Sequence, residues 1–212
     1  MKIKYHWTAY LLGFELPFMQ QMTGINAIVT SAKTIVANTP SLAGLASLTP
    51  LIINVVQLFA TVMTIFVLTK VGRKPLTLFG NLGLAVIDIA IGILFIFTDW
   101  PPSGIFVFIL LIFYMFVYGI SLGPVVWLYV PEIIPAKIVP FATLMNWFGA
   151  SICVIFTPIA INDHDGNPYP VFFFFGGITF IFFFINTFLM KETKGLTSLQ
   201  IAMTFNNATN TQ

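Results

Sequence analysis

Gln20-Gln21-Met22-Thr23-Gly24-Ile25-Asn26 interrupts an otherwise apolar run that extends from about residue 8 to residue 36. Three carboxamides surround one glycine in a segment long enough to cross a bilayer. Hydrocarbon offers such groups no hydrogen-bond partners, so they face protein or a hydrated path. A carboxamide is uncharged, yet it both donates and accepts hydrogen bonds. That chemistry suits a neutral solute carrying several hydroxyls. The competing reading gives the amides a purely structural task, tying one helix to another. On an ideal helix of about 100° per residue, Gln21 and Asn26 stand about 140° apart, and Gln20 and Asn26 about 120°. A regular helix cannot aim all three at one ligand. Gly24 tolerates backbone angles that other residues avoid, so the sequence predicts a helix broken near Gly24.

Composition sets the class around that segment. The chain has 212 residues, 58% hydrophobic and only 8% charged, with 24 phenylalanines. Soluble domains carry about 25% charged residues, so this is a membrane composition. The runs Phe172 to Phe175 and Phe182 to Phe184 fit the same class. A net charge of +2 points to no nucleic-acid partner. The single cysteine, Cys153, excludes an internal disulfide and a cysteine-rich metal site. Neither a cleavable leader, a nucleophile–base pair, a phosphate loop nor a metal-ligand spacing stands out, so neither an enzyme nor a cofactor is expected.

Six spans are expected, at about 8–36, 48–69, 75–98, 104–130, 138–161 and 170–190. Turn-forming stretches separate several of them: Asn38-Thr-Pro-Ser41, Asp99-Trp-Pro-Pro-Ser-Gly104 and Asn162-Asp-His-Asp-Gly-Asn-Pro168. With a cytoplasmic N-terminus, eight of the nine Lys and Arg residues fall inside: Lys2, Lys4, Lys70, Arg73, Lys74, Lys137, Lys191 and Lys194. Only Lys33 falls in the outer half. That asymmetry sets the orientation, with both termini cytoplasmic. Asn207-Ala208-Thr209, a formal glycosylation acceptor, then lies on the wrong side and is discounted.

Other polar groups sit at membrane depth. Asn54 and Gln57, three residues apart, share a face of the second span. In the fourth span Pro124 should kink the helix, placing Trp127 beyond the kink with a flat apolar face and one N–H to offer. Trp7 and Trp100 read as interface anchors. Asn146-Trp147 lies in the fifth span. Glu132 stands near the inner end of its helix, where Arg73 or Lys70 is the expected partner. An ion network there would hold an inward gate closed; the plainer alternative is a solvated loop charge. Glu15 and Asp88 lie within spans and are either titrating groups or partners of a nearby Lys or hydroxyl.

Taken in order, these segments resemble the C-terminal half of the sugar porters of the major facilitator superfamily. The matching stretches are Gln20-Gln21-Met-Thr-Gly24-Ile-Asn26, Val71-Gly72-Arg73-Lys74, Gly123-Pro124-Val-Val-Trp127, Pro131-Glu132-Ile-Ile-Pro135, Asn146-Trp147 and Glu192-Thr193-Lys194-Gly195. The resemblance covers about residues 8 to 200. It implies an all-α fold in which residues 1–195 form helices seven to twelve of a twelve-helix transporter, with 196–212 as a cytoplasmic tail. It also implies sugar contacts from Gln20, Gln21, Asn26, Trp127 and Asn146. A helix-eight amide is implied as well, Gln57 by register with Asn54 one turn away. Arg73, Glu132, Glu192 and Lys194 would form a cytoplasmic charge network.

The departures are specific. Thr30 and Ser31 stand where many members have aromatic gate residues. Thr69 replaces an acid, and Gly119 takes the place of a carboxylate found in animal glucose transporters. The stretch from Glu132 to Asn146 is shorter than usual. The expected function is transport of a sugar, a hexose by resemblance, by alternating access in the plasma membrane. This chain would supply one half; the expected partners are the bilayer and an N-terminal six-helix half or a second copy. A fragment of a longer product is the favoured account. The alternatives are a non-transporting membrane subunit or sensor, an inactive fragment, or a carrier of organic acids. The last is disfavoured because no Arg or Lys lies at the centre of a span.

Overall fold

Hydrophobic runs of span length fold here into helices and nothing else: among the described residues there is no strand. The structure is a computed structural model and describes residues 6–37, 42–97, 103–164 and 166–207. The expected turn at 38–41, most of that at 99–104, Asp165, Lys2, Lys4, the Trp100 anchor and the glycosylation acceptor beyond Asn207 lie outside those residues.

The helices are α1 (Trp7–Met22), α2 (Ile25–Ala37), α3 (Thr49–Val71), α4 (Arg73–Ile96), α5 (Ser103–Ile120), α6 (Leu122–Ile133), α7 (Val139–Asn162), α8 (Tyr169–Leu189) and α9 (Ser198–Asn207). Five stretches are long and apolar enough to cross a membrane: α3, α4, residues 104–133, α7 and α8. The first expected span is divided into α1 and α2, which together run from Trp7 to Ala37. The expected break is present, and Gly24 carries it with φ +85°. A Cβ built on Gly24 would lie 2.7 Å from Phe175 Cδ2, so both backbone angle and packing require glycine.

The fourth span departs from expectation. Its interruption falls at Ser121 (φ −120°, ψ −95°), between α5 and α6, and not at Pro124. Pro124 lies in the first turn of α6, where a missing N–H has no intrahelical partner to lose. The proline therefore lies at the start of α6 and does not bend a continuous helix.

The most extensive packing joins α4 to α8, α3 to α5 and α1 to α7. Glycines set two of these approaches. A Cβ on Gly119 would meet Gln57 O at 2.8 Å, and one on Gly176 would meet Ile89 Cγ1 at 2.9 Å. No side chain fits at Gly119 without moving α3, so a carboxylate is excluded there by packing. Leu16, Met19, Leu84, Leu111, Tyr129 and Phe175 form part of the buried centre. Leu58, Phe59, Phe66 and Phe188 are among the large apolar side chains left on the outer surface, as a hydrocarbon solvent allows.

Residues 196–212 read as a plain tail, but 198–207 form α9, which packs on α6 through buried Ile201, Ala202 and Phe205. Its start is a capping box: Thr197 N donates to Gln200 Oε1 at 2.8 Å and Gln200 N to Thr197 Oγ1 at 3.4 Å. The spacing Thr-x-x-Gln was present in the sequence as the signal.

Candidate functional site

Two interrupted helices meet at mid-membrane, and the amides lie where they meet. Gln20 Nε2 donates to Leu122 O and to Gly123 O, each at 2.9 Å, at the start of α6. Gln20 Oε1 accepts from Asn146 Nδ2 at 2.9 Å, and the same Nδ2 donates to Pro17 O at 2.9 Å. Asn146 Oδ1 accepts from Gln21 Nε2 at 3.0 Å. Gln21 Oε1 in turn accepts from Asn26 Nδ2 at 2.6 Å. One chain of hydrogen bonds thus runs Asn26–Gln21–Asn146–Gln20 and ends on the α6 backbone. The break lets α2 turn Asn26 back onto Gln21, which an ideal helix would not do.

Within this chain the residues differ in accessibility. Gln20 is 2% exposed and Asn146 5%. Both amide hydrogens of Gln20 go to protein carbonyls and its oxygen to Asn146, so Gln20 ties helices together. Gln21 and Asn26 are only partly buried. Asn54 is exposed and Gln57 half-buried on α3, and neither joins the chain of amides among the described hydrogen bonds. Trp127, on α6, is 38% exposed and also stands outside it. Trp147, beside Asn146, is outward and 67% exposed. The structure therefore brings together Gln20, Gln21, Asn26 and Asn146, and leaves Asn54, Gln57 and Trp127 as separate open positions. Thr30 is exposed on α2, one turn beyond Asn26.

The end of the bundle at the α3–α4 turn is built on charge. Arg73 Nη2 pairs with Glu132 Oε1 at 2.7 Å, and Thr193 Oγ1 donates to Glu132 Oε2 at 2.6 Å. Of the two expected partners for Glu132, Arg73 is the one engaged. Glu192 does something a motif alone does not announce. Its carboxylate accepts from Arg73 N and Lys74 N, both at 3.0 Å, the first two amides of α4. It also accepts from Thr193 N at 2.9 Å and Lys194 N at 2.8 Å. A helix N-terminus presents unpaired N–H groups and a partial positive charge, so a distant carboxylate caps α4. Gly72, at φ +100°, is the one residue between α3 and α4, and a Cβ there would lie 2.6 Å from Glu192 Oε2. Lys194 Nζ donates to Lys70 O at 2.7 Å in the last turn of α3. Lys74 Nζ donates to Thr187 O at 2.8 Å near the end of α8. The Glu192-Thr-Lys194 turn thus locks both sides of the α3–α4 turn.

The two acids within spans behave differently from the expectation of a Lys or hydroxyl partner. Glu15 Oε1 lies 3.5 Å from Asn186 Nδ2, a weak contact. Asp88 is buried on α4, and neither of its oxygens has a hydrogen-bond partner among the described residues. Among the described residues no group of three metal-ligating side chains occurs.

A family model described as "Sugar (and other) transporter" matches residues 2–205. Hexose transporter 1 of Plasmodium knowlesi is 32% identical over 200 residues, a match covering 92% of this chain and 39% of that protein. The D-xylose-proton symporter of Escherichia coli (strain K12) is 30% identical over 199 residues, covering 88% of this chain and 39% of that one. The structure of the major facilitator superfamily proton:xylose symporter XylE bound to 6-bromo-6-deoxy-D-glucose superposes with a TM-score of 0.80 at 26% identity, over 92% of this chain and 42% of that one. The chain spans about two fifths of the length of these relatives. Sequence match and helical architecture agree: this integral membrane protein belongs to the sugar (and other) transporter family.

Proposed function

We propose that this chain supplies the C-terminal half of a sugar transporter working by alternating access, with a hexose-like sugar as substrate. The observation that carries the reading is the hydrogen-bonded pair of Gln21 and Asn26 at the break, partly accessible and backed by buried Gln20 and Asn146. A sugar hydroxyl donates and accepts like the amides it would engage, so it can exchange with the Asn26–Gln21 bond without leaving a polar group unpaired. Gln21 and Asn26 are the contact residues in this account, joined by Gln57 or Asn54 from α3. Trp127 supplies an apolar face against the sugar ring. Gln20 and Asn146 hold the contacts in place. Arg73, Glu132, Glu192 and Lys194 fasten the inner end and rearrange when the two halves rock.

The partner in this reading is a second six-helix bundle, either an N-terminal half or another copy of the chain. The orientation has both termini cytoplasmic, and the membrane is the plasma membrane. The test is sugar uptake by the complete, partner-containing protein reconstituted in vesicles. Gln21→Ala and Asn26→Ala should each lower uptake at least tenfold. Unchanged uptake in both would remove the site assignment. The full engagement of Gln20 and Asn146 by protein groups favours helix tying for those two residues. A subunit or sensor in which all four amides only tie helices would show no uptake with any partner.

A further inference from the structure

A helix that breaks inside a membrane leaves carbonyl groups without their amide partners, and lipid supplies no substitute. At the first break two such carbonyls, Gln20 O and Thr23 O, have side-chain donors, and Gln21 O takes one beside its bond from Gly24 N at 3.1 Å. Thr23 Oγ1 donates to Gln20 O at 2.8 Å. Cys153 Sγ, from α7, donates to Gln21 O at 3.2 Å. Tyr114 Oη, from α5, donates to Thr23 O at 2.6 Å. Tyr114 and Thr23 are fully buried, each 0% exposed, so water does not compete for this bond. Side chains bind backbone carbonyls at the second break too, at the end of α5 and in the first turn of α6. Thr64 Oγ1 donates to Gly119 O at 3.1 Å and Ile120 O at 3.0 Å, while Gln20 serves Leu122 O and Gly123 O. The two interruptions are thus fastened to each other in both directions. The first span grips the inner half of the fourth through Gln20, and the outer half of the fourth grips the first through Tyr114.

We infer that Tyr114 is a positioning residue for the amide pair: its hydroxyl holds the Thr23 carbonyl, and so fixes where α2 begins and where Asn26 meets Gln21. The consequence for transport rests on the proposed sugar site; the fastening itself does not. Gly24 follows the held carbonyl directly, so releasing Thr23 O frees the glycine's backbone angles and with them the direction of α2. Tyr114→Phe keeps the ring in its packed place and removes only the donor.

The experiment uses the complete, partner-containing transporter with Thr30→Cys as a reporter on the exposed face of α2. The rate of labelling by a membrane-impermeant maleimide is measured with and without D-glucose, after subtracting labelling of the protein without the added cysteine. Without sugar, Tyr114→Phe should change the labelling rate about tenfold, the effect of one buried hydrogen bond on a local equilibrium. With sugar, the glucose concentration that half-protects should rise about tenfold. A rate within twofold of the parent would overturn the inference. Cys153→Ala, which leaves the Gln21 carbonyl to Gly24 N alone, should give a smaller change of about threefold, as a thiol is the weaker donor. It serves if Tyr114→Phe fails to fold, and no change in it would then overturn the inference. A parent that shows no glucose protection would sink the sugar reading alone, since the sugar-free rates still decide the fastening.

Discussion

Replacing Gly24 by alanine tests the break at its narrowest point. Two costs add. An L-residue at φ +85° occupies the left-handed region, a penalty of about 1–2 kcal/mol. The new methyl would stand 2.7 Å from Phe175 Cδ2 and 2.9 Å from its Cγ, so the ring or the backbone must move, at about 1–3 kcal/mol. Together Gly24→Ala should destabilise by about 2–5 kcal/mol, read as a lower midpoint of thermal unfolding. The two contributions separate in a double-mutant cycle with Phe175→Leu, which clears the ring but leaves the backbone angle. The coupling should be about 1–3 kcal/mol, the packing share, with the backbone share remaining in the double variant. The assay is thermal unfolding of the complete protein in detergent, with hexose binding on the same samples. Gly24→Ala with parental stability and binding would refute the claim that the break requires glycine. A coupling near zero would refute the packing half of it.

Four further outcomes follow from the hydrogen-bond pattern. Glu192→Ala removes the cap from α4 and should cost about 1–2 kcal/mol, read as a lower unfolding midpoint. Lys194→Ala, which loses one exposed contact to Lys70 O, should cost less than Glu192→Ala in the same measurement. Thr64→Val takes the side-chain donor from Ile120 O and leaves Gly119 O only the longer bond from Thr61 Oγ1 at 3.3 Å; it should cost about 1–3 kcal/mol, whereas Thr64→Ser should retain most of the stability. In hexose affinity, Gln21→Ala and Asn26→Ala should be non-additive, because Asn26 Nδ2 sits 2.6 Å from Gln21 Oε1; strict additivity would argue that the pair does not act as a unit.

Much of the architecture was legible because lipid imposes it. Backbone groups must be satisfied within each span, so apolar length and Lys/Arg placement give the spans with little help from tertiary contacts. The break at Gly24 was legible too: carboxamides on incompatible helical faces beside a glycine have few other solutions. The break at Ser121 was not. Pro124 advertised a perturbation, but its position within the first turn of α6 depends on Thr64, which accepts the task of satisfying Gly119 and Ile120 from another helix. That partnership is 55 residues away in sequence and has no local signature. The same holds for Glu192, whose acidic character suggested an ion pair but whose carboxylate caps a helix that begins at Arg73. α9 had its Thr197–Gln200 box in plain view, yet a short, weakly apolar helix acquires its stability from packing on α6.

Among the amides the division of labour also needed three dimensions. Gln20 and Gln21 are adjacent and chemically identical, and nothing local distinguishes them. One turns inward to the α6 backbone and the other outward to Asn26, because successive residues on a helix differ by about 100°. Gly119 illustrates the converse. Set against a family pattern it looked like a lost carboxylate; in the fold it is the point where α3 passes too close for any side chain.

The most direct test is the affinity of the complete transporter for D-glucose, measured by calorimetry on the parent and on Asn26→Ala. Asn26 is the amide that reaches its neighbours only through the break, so it reports on break and site together. The account predicts binding by the parent and at least a tenfold weaker dissociation constant for the variant. Equal affinity in the two proteins would contradict it.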